Sequence, residues 1–175
     1  MKPSWRRELR NALSLLPANK LDAGRRIALL GVGNELNGDD AAGVAVVRAL
    51  QARCPAAPQL LLLEAGLAPE NFTGKLRRFA PDWVVLVDAA WLDEAPGCIA
   101  WVDWQMADGL SASTHSLPLA MFAQYVVSEL GCRLGMLGIQ PVQLEFGQPL
   151  SPAVQAAVDE AVDGLAEALG ECAGN

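Results

Sequence analysis

Apolar runs alternate with helical patterns along the chain, which is the rhythm of an α/β domain. Five short apolar runs are strand candidates: residues 27–33, 60–64, 84–88, 98–103 and 134–139. Helical periodicity predicts four helices after Arg26: residues 40–52, 70–79, 117–130 and 152–169. Because the first three strands are apolar on both faces, helices should cover both sides of the sheet. We therefore predict a single three-layer α/β domain with a mainly parallel, twisted sheet of about five strands and helices on both faces.

The N-terminal segment differs from the rest of the chain in charge and pattern. Residues 4–16 predict a short amphipathic helix, which Pro17 ends, with one apolar stripe: Trp5, Leu9, Leu13 and Leu16. Seven of the 13 Lys and Arg residues lie within residues 1–26. We divide the chain into a basic helical extension at residues 1–25 and an α/β domain at residues 26–175, and we expect the helix to pack on the domain.

Composition narrows the class of protein. The chain has 175 residues, 52% of them hydrophobic, yet it contains no run of about 18 apolar residues that could span a bilayer. Charged residues interrupt the N-terminus, so we expect no secretory signal and a cytoplasmic protein. The net charge of −7 opposes binding to nucleic acid and favours a cationic ligand, a metal included. The four cysteines match no metal or disulfide pattern, which indicates reduced thiols.

The segment after the first strand is the first candidate site. Residues 31–40 read Gly-Val-Gly-Asn-Glu-Leu-Asn-Gly-Asp-Asp and open into a helix, as a dinucleotide-binding fingerprint does. Leu36 occupies the position of the third glycine, and Asp39 and Asp40 would repel a pyrophosphate at the helix start. Glu64 could still serve as the acid that binds a ribose, so nucleotide binding stays open as an alternative.

Two carboxylates and one imidazole form the second candidate site. Helix capping explains one carboxylate of the Asp39–Asp40 pair, which leaves Asp40 to point inward. Asp88 ends an apolar strand, where it forms an Asx turn or needs a buried partner or metal. If the first and third strands are neighbours, Asp40 and Asp88 face each other across the sheet edge. His115, the only histidine, is either structural or completes an O,O,N ligand set for a divalent ion.

Five sequence blocks in a fixed order resemble the hydrogenase maturation endopeptidases. The resemblance extends from about Ile27 to Leu169 and rests on these blocks: GNELNGDDAAG (33–43), EAGLAPEN (64–71), LVDA (86–89), STHSLPL (113–119) and LGIQP (137–141). It implies a twisted sheet flanked by helices. It also implies a peptidase that removes the C-terminal extension of a nickel–iron hydrogenase large-subunit precursor after nickel insertion.

The same resemblance implies a role for the O,O,N set. Asp40, Asp88 and His115 fall on the family's metal-contacting positions and would bind the nickel carried by the substrate, which serves as the recognition handle. Other divalent ions such as zinc or cadmium would suit the same site. The expected partner is the hydrogenase large-subunit precursor, and we expect the peptidase to be a monomer.

The remaining site residues are assigned with less detail. Either Asp40 or Glu64 takes the proton of the attacking water, and the sequence leaves the choice open. Glu64 stands where many relatives of the resembled family have Asp. We expect Gly33, Asn34 and Thr114 to contact the substrate. The alternative from another class is a non-catalytic metal-binding assembly module of the same fold.

Overall fold

One twisted sheet of five strands is the centre of the computed structural model, which describes residues 4–15, 24–54, 56–106, 112 and 119–173. The strands are β1 (Ile27–Val32), β2 (Leu60–Gly66), β3 (Trp83–Ala89), β4 (Ile99–Asp103) and β5 (Arg133–Ile139). Their order across the sheet is β2-β1-β3-β5-β4. All neighbours are parallel except β4, which runs antiparallel to β5. The predicted mainly parallel sheet is confirmed.

Helices cover both faces of this sheet, as predicted. They are α1 (Trp5–Ser14), α2 (Ala42–Arg53), α3 (Thr73–Phe79), α4 (Leu119–Leu130) and α5 (Pro152–Ala173). Apolar side chains of α1, α2 and α5 form one buried cluster against the sheet, and those of α3 and α4 form a second on the opposite face. None of the helices within the described residues is long and apolar enough to cross a membrane.

The helix α1 is packed into the first of these clusters. Its buried side chains are Trp5, Leu9 and Leu13, three of the four members of the predicted stripe, while Leu16 lies outside the described residues. The indole Nε1 of Trp5 donates a hydrogen bond of 3.0 Å to Glu160 on α5. The amphipathic pattern therefore predicted both the helix and its packing on the domain.

The burial of β2 differs from that of β1 and β3. The run at 60–64 is as apolar as β1 and β3, yet β2 is an edge strand, and its residues Leu60, Leu61 and Leu62 are only half-buried. Helical coverage of an edge strand is incomplete because the strand has a neighbour on one side only. By contrast, β1 and β3 are buried along their whole length.

The strand order creates a reversal between β1 and β3. From β1 the chain passes through α2 to β2 on one side, and then through α3 to β3 on the other side of β1. In open parallel sheets, such a reversal leaves a crevice at the carboxyl ends of the two strands, where ligands bind. We call this end of the sheet the carboxyl edge and the opposite end the amino edge.

Shortening a buried side chain of α1 tests whether this helix unfolds together with the rest of the domain. Leu9 is fully buried, so Leu9→Ala should lower the free energy of unfolding by about 2–5 kcal/mol. Leu15 is 61% exposed at the end of the same helix, so Leu15→Ala should change the stability by less than about 0.5 kcal/mol. Urea denaturation followed by circular dichroism measures both. Equal stability of the two variants would mean that α1 folds separately from the core.

Candidate functional site

The crevice between β1 and β3 brings together the sequence segments that carry candidate chemistry. β1 pairs with β3 from Ile27 to Gly31, and a short 3-10 helix, Gly38–Ala41, lies against β3. This 3-10 helix carries Asp40, and the end of β3 carries Asp88. Because β1 and β3 are direct neighbours, the condition for the two carboxylates to share one crevice is met.

Two glycines allow the first turn of α2 to rest on the strand ends. Gly33 follows β1 with a φ of +128°, and a Cβ there would lie 1.8 Å from the backbone oxygen of Asp40. A Cβ on Gly43 would lie 2.0 Å from the backbone oxygen of Val87. Any side chain at either position would push the helix start away from the sheet. Gly33 thus allows the helix to pack closely against the strand ends. Gly43 gives the close helix–strand contact that the third glycine gives in a dinucleotide-binding fingerprint.

Asp40 is buried beside the end of β1. The residue is only 2% exposed, and its Oδ2 accepts a hydrogen bond of 2.9 Å from the backbone N–H of Asn34. This contact folds the loop after β1 back onto the helix start. Asn34 is held in turn by its own side chain, whose Oδ1 accepts the N–H of Leu36 at 3.0 Å. Asp40 therefore occupies a fixed position at the carboxyl edge.

Asp39 has a different task from its neighbour. Its fully buried carboxylate accepts hydrogen bonds from the backbone N–H groups of Val142 and Gln143, at 2.8 and 3.1 Å. It also accepts the N–H and the hydroxyl of Ser151, at 2.6 and 3.0 Å. The helix-cap interpretation of this residue is wrong in detail, because the carboxylate binds the segment after β5 rather than the start of its own helix.

Asp88 lies fully buried near the end of β3, opposite Gly138 of β5. Side chains alternate between the faces of a strand, so Asp88 shares a face with Leu86, whose side chain belongs to the cluster under α3 and α4. A carboxylate at such a place is costly unless partners or a cation stabilise it. It directly follows Val87, the last residue of β3 that pairs with β1.

Glu64 is held on the surface by a cation that the sequence pattern did not indicate. The guanidinium of Arg48, on α2, donates to Glu64 Oε2 from Nε at 3.0 Å and from Nη2 at 2.5 Å. Its Nη1 lies 2.6 Å from Glu35 in the loop after β1. Hydrogen bonds to Glu35 and Glu64 raise the pKa of Arg48 above its usual value. The charge of Glu64 is therefore matched by an arginine.

The predicted site residues on the loop before α4 lie outside the described part of the chain. These are Thr114 and His115. The nearest described neighbour before them is Ala112, whose N–H donates a hydrogen bond of 2.9 Å to the backbone oxygen of Ala89. Ala112 is thus bound to the residue that follows Asp88. Of the predicted substrate contacts, Gly33 and Asn34 lie at the end of β1, beside Asp40.

Other kinds of chemistry find little support in the described residues. No three His, Cys, Asp or Glu side chains among them form a ready metal site. Cys54, Cys98 and Cys132 are free thiols, as expected. Cys132 precedes β5 at the amino edge, where burial raises the pKa of its thiol to about 11 and keeps it protonated. A thiol in that state and at that edge is a poor nucleophile for the crevice.

A cavity of about 260 Å³ lies far from the candidate acids. It opens at the amino edge, next to Ile27 and Leu60, and Arg25 and Arg53 are among its lining residues. Its walls are mainly apolar, and β1 separates it from the crevice. The cavity and the candidate site are therefore different features of the molecule.

Sequence reasoning missed the residues that position the acids. Asp39 and its partner Ser151 are 112 residues apart, and Glu64 and Arg48 lie on different elements. Nothing in the local pattern of Ser151 marks it as a partner for a distant carboxylate. Arg48 had one sequence signal, because it is the only Lys or Arg between Arg26 and Arg53, in a stretch that contains Glu35, Asp39 and Asp40.

A comparison with family models identifies the family of the chain. The model of the hydrogenase maturation protease family matches residues 44–168, which include Asp88 and His115 and begin after Asp40. The hydrogenase 3 maturation protease of Escherichia coli is 33% identical over 134 residues, which cover 75% of this chain and 83% of that protein. The nucleotide-binding and non-catalytic alternatives have no such support.

Solved structures show the same fold. The maturation protease HycI of Thermococcus kodakarensis superimposes with a TM-score of 0.76 at 32% identity, covering 86% of this chain and 96% of that one. The hydrogenase maturating endopeptidase HybD of Escherichia coli gives a TM-score of 0.71 at 29% identity, covering 83% and 93%. With its mainly parallel sheet and its acids at the carboxyl edge, the chain is a peptidase that belongs to the hydrogenase maturation protease family.

Proposed function

We propose that this peptidase removes the C-terminal extension of a nickel–iron hydrogenase large-subunit precursor, and that it recognises the nickel already inserted in that substrate. The observation that carries the proposal is the burial of two carboxylates beside the crevice: Asp40 on the 3-10 helix after β1, and Asp88 near the end of β3. Carboxylate oxygens are suitable ligands for a divalent cation. Membership of the family indicates the reaction, and the two acids are the groups that would bind a cation carried by the substrate.

His115 is proposed as the third ligand. It is three residues from Ala112, and three residues of extended chain span about 11 Å at most. Ala112 is hydrogen-bonded to Ala89, and α4, which follows the loop, packs on the face of the sheet that carries Asp88. These constraints favour an imidazole near the carboxyl edge. An O,O,N set leaves positions on the nickel for the precursor's own ligands.

The reaction itself is hydrolysis of one peptide bond. The nickel anchors the precursor so that the bond to be cut lies beside Asp40, which gives the proximity on which the rate depends. Asp40 accepts a proton from water as the water oxygen attacks the carbonyl carbon. The proton then passes to the nitrogen of the leaving peptide, the C–N bond breaks, and two shorter chains remain.

We propose Asp40 rather than Glu64 as the general base. Asp40 is buried and fixed beside the crevice, whereas the side chain of Glu64 is 31% exposed and bound by Arg48. Two hydrogen bonds from Arg48 already occupy Oε2 of Glu64 and hold its side chain against α2. The role left to Glu64 is to hold the loop after β1 through the shared arginine.

Replacement of the histidine tests the nickel site. His115→Ala should abolish processing of nickel-loaded precursor and leave the thermal unfolding curve of the free enzyme unchanged, because a ligand for a cation carried by the substrate acts only when the substrate is bound. Mass spectrometry of the large subunit reports the loss of the C-terminal peptide. A shortened subunit formed at the wild-type rate would show that His115 is not part of the site.

Nickel-free precursor tests the recognition handle with the unaltered enzyme. Without nickel, the precursor carries no cation that Asp40 and Asp88 can bind. The cleavage rate should therefore fall below detection in the same assay. Addition of nickel to that precursor by its own insertion machinery is the control and should restore cleavage. Equal cutting of both precursor forms would contradict the role of nickel.

The adjacent aspartates are a matched pair for separating chemistry from folding. Asp40→Asn should lower the processing rate by about 10²-fold or more, because an amide cannot accept the proton, with little change in stability. Asp39→Asn should instead lower the free energy of unfolding by about 1.5–3 kcal/mol for each charge-assisted hydrogen bond lost. Cleavage assays and urea denaturation of both variants measure the two effects. The assignment fails if the effects are exchanged between the two positions.

Glu64→Gln tests the choice of general base. If the side chain only positions the loop, the variant should lose less than about tenfold in rate, because an amide still accepts a hydrogen bond from Arg48. The comparison is with Asp40→Asn under the same conditions. A larger loss for Glu64→Gln than for Asp40→Asn would transfer the role of base to Glu64.

A further inference from the structure

Large apolar side chains are exposed on two loops beside the crevice. Leu36 follows β1 and is 59% exposed, and Val142 and Phe146 follow β5 and are 52% and 77% exposed. We call these three residues the apolar rim. Single exposed apolar residues are ordinary, but a group at one border of a reaction site is typical of an interaction surface.

Hydrogen bonds fix the two loops to each other. The N–H of Gly147 donates to the backbone oxygen of Leu36 at 2.7 Å, and the N–H of Asp39 donates to the backbone oxygen of Gln143 at 2.9 Å. The carboxylate of Asp39 holds the other side by accepting the N–H groups of Val142 and Gln143. The apolar rim is therefore formed before binding and rigidly connected to Asp40. A preformed surface loses less entropy when a partner docks.

The charge around the apolar rim indicates the chemistry of the partner. The four segments at the carboxyl edge, residues 33–40, 64–72, 88–98 and 140–151, contain no Lys or Arg and nine acidic residues: Glu35, Asp39, Asp40, Glu64, Glu70, Asp88, Asp93, Glu94 and Glu145. Arg48 reaches this edge from α2 and is already shared by two of these acids. A second copy of the chain would bring two acidic edges together, which like charges oppose. A partner with Lys or Arg near an apolar segment is the complementary one.

We propose that the apolar rim docks the hydrogenase precursor through an apolar segment flanked by Lys or Arg, next to the peptide bond presented to Asp40. This inference rests on the proposed function, because it takes the precursor as the substrate. The contact does not involve the reacting atoms and does not change during the reaction, so it stabilises the bound substrate and the transition state equally. Loss of such binding raises KM and leaves kcat unchanged.

The test uses a double substitution and a control of matched exposure. Leu36→Ser combined with Phe146→Ser should raise KM for nickel-loaded precursor by about tenfold or more, with kcat and thermal stability unchanged. Met121 is 57% exposed on α4, in the layer that does not contain these loops, so Met121→Ser should leave KM unchanged. Higher salt should raise KM for the wild-type enzyme, since screening weakens the attraction of the acidic edge for a basic segment.

Each other outcome has a defined meaning. If the wild-type enzyme cuts the precursor and the double variant has the wild-type KM, the docking role is overturned while the proposed function stands. If the wild-type enzyme leaves nickel-loaded precursor intact, the proposed function fails and the docking inference fails with it. Light scattering that shows a wild-type dimer, dissociated by the double substitution, would identify the apolar rim as a contact between copies and would also overturn the proposal.

Discussion

The direct contact between the start of α2 and the ends of β1 and β3 determines the position of everything at the candidate site. Gly33 and Gly43 permit this contact because neither position has room for a Cβ. The 3-10 helix that precedes α2 is thereby pressed against β3, and the carboxylate of Asp40 comes to the crevice where Asp88 lies. The reversal of strand order between β1 and β3 creates the crevice, and the contact of α2 with the strand ends places Asp40 beside it.

Two adjacent carboxylates are divided between structure and chemistry. Asp39 accepts four hydrogen bonds from the segment after β5, among them two from Ser151 just before α5. A buried charge with that many donors is fully stabilised and has no capacity left for a substrate. Asp40, one residue further, is fixed by a hydrogen bond from the loop after β1. Asp40 is therefore held from two sides, by its own bond to Asn34 and by the bonds of the adjacent Asp39.

Charge is separated between the two ends of the sheet. Arginines are placed at the amino edge, before β1, at the first residue of β5 and at the last turn of α2, while acidic residues dominate the strand ends and loops of the carboxyl edge. An acidic edge attracts a cation and a basic protein segment and repels phosphate groups. The apolar rim adds a surface that such a segment can cover. The recognition that we propose for the precursor combines cation binding, charge attraction and apolar contact.

Sequence by itself determined the elements and the three-layer class, and it placed Asp88 near the end of a strand and Asp40 at a helix start, because apolar periodicity and helix-start patterns act locally. It also predicted α1 from the stripe that contains Trp5 and Leu9. Only the tertiary structure decided that β2 is an edge strand, that Asp39 binds the segment after β5 and that Arg48 neutralises Glu64. Those outcomes depend on strand order and on partners as far as 112 residues apart, and contacts between such distant residues leave no trace in a local pattern.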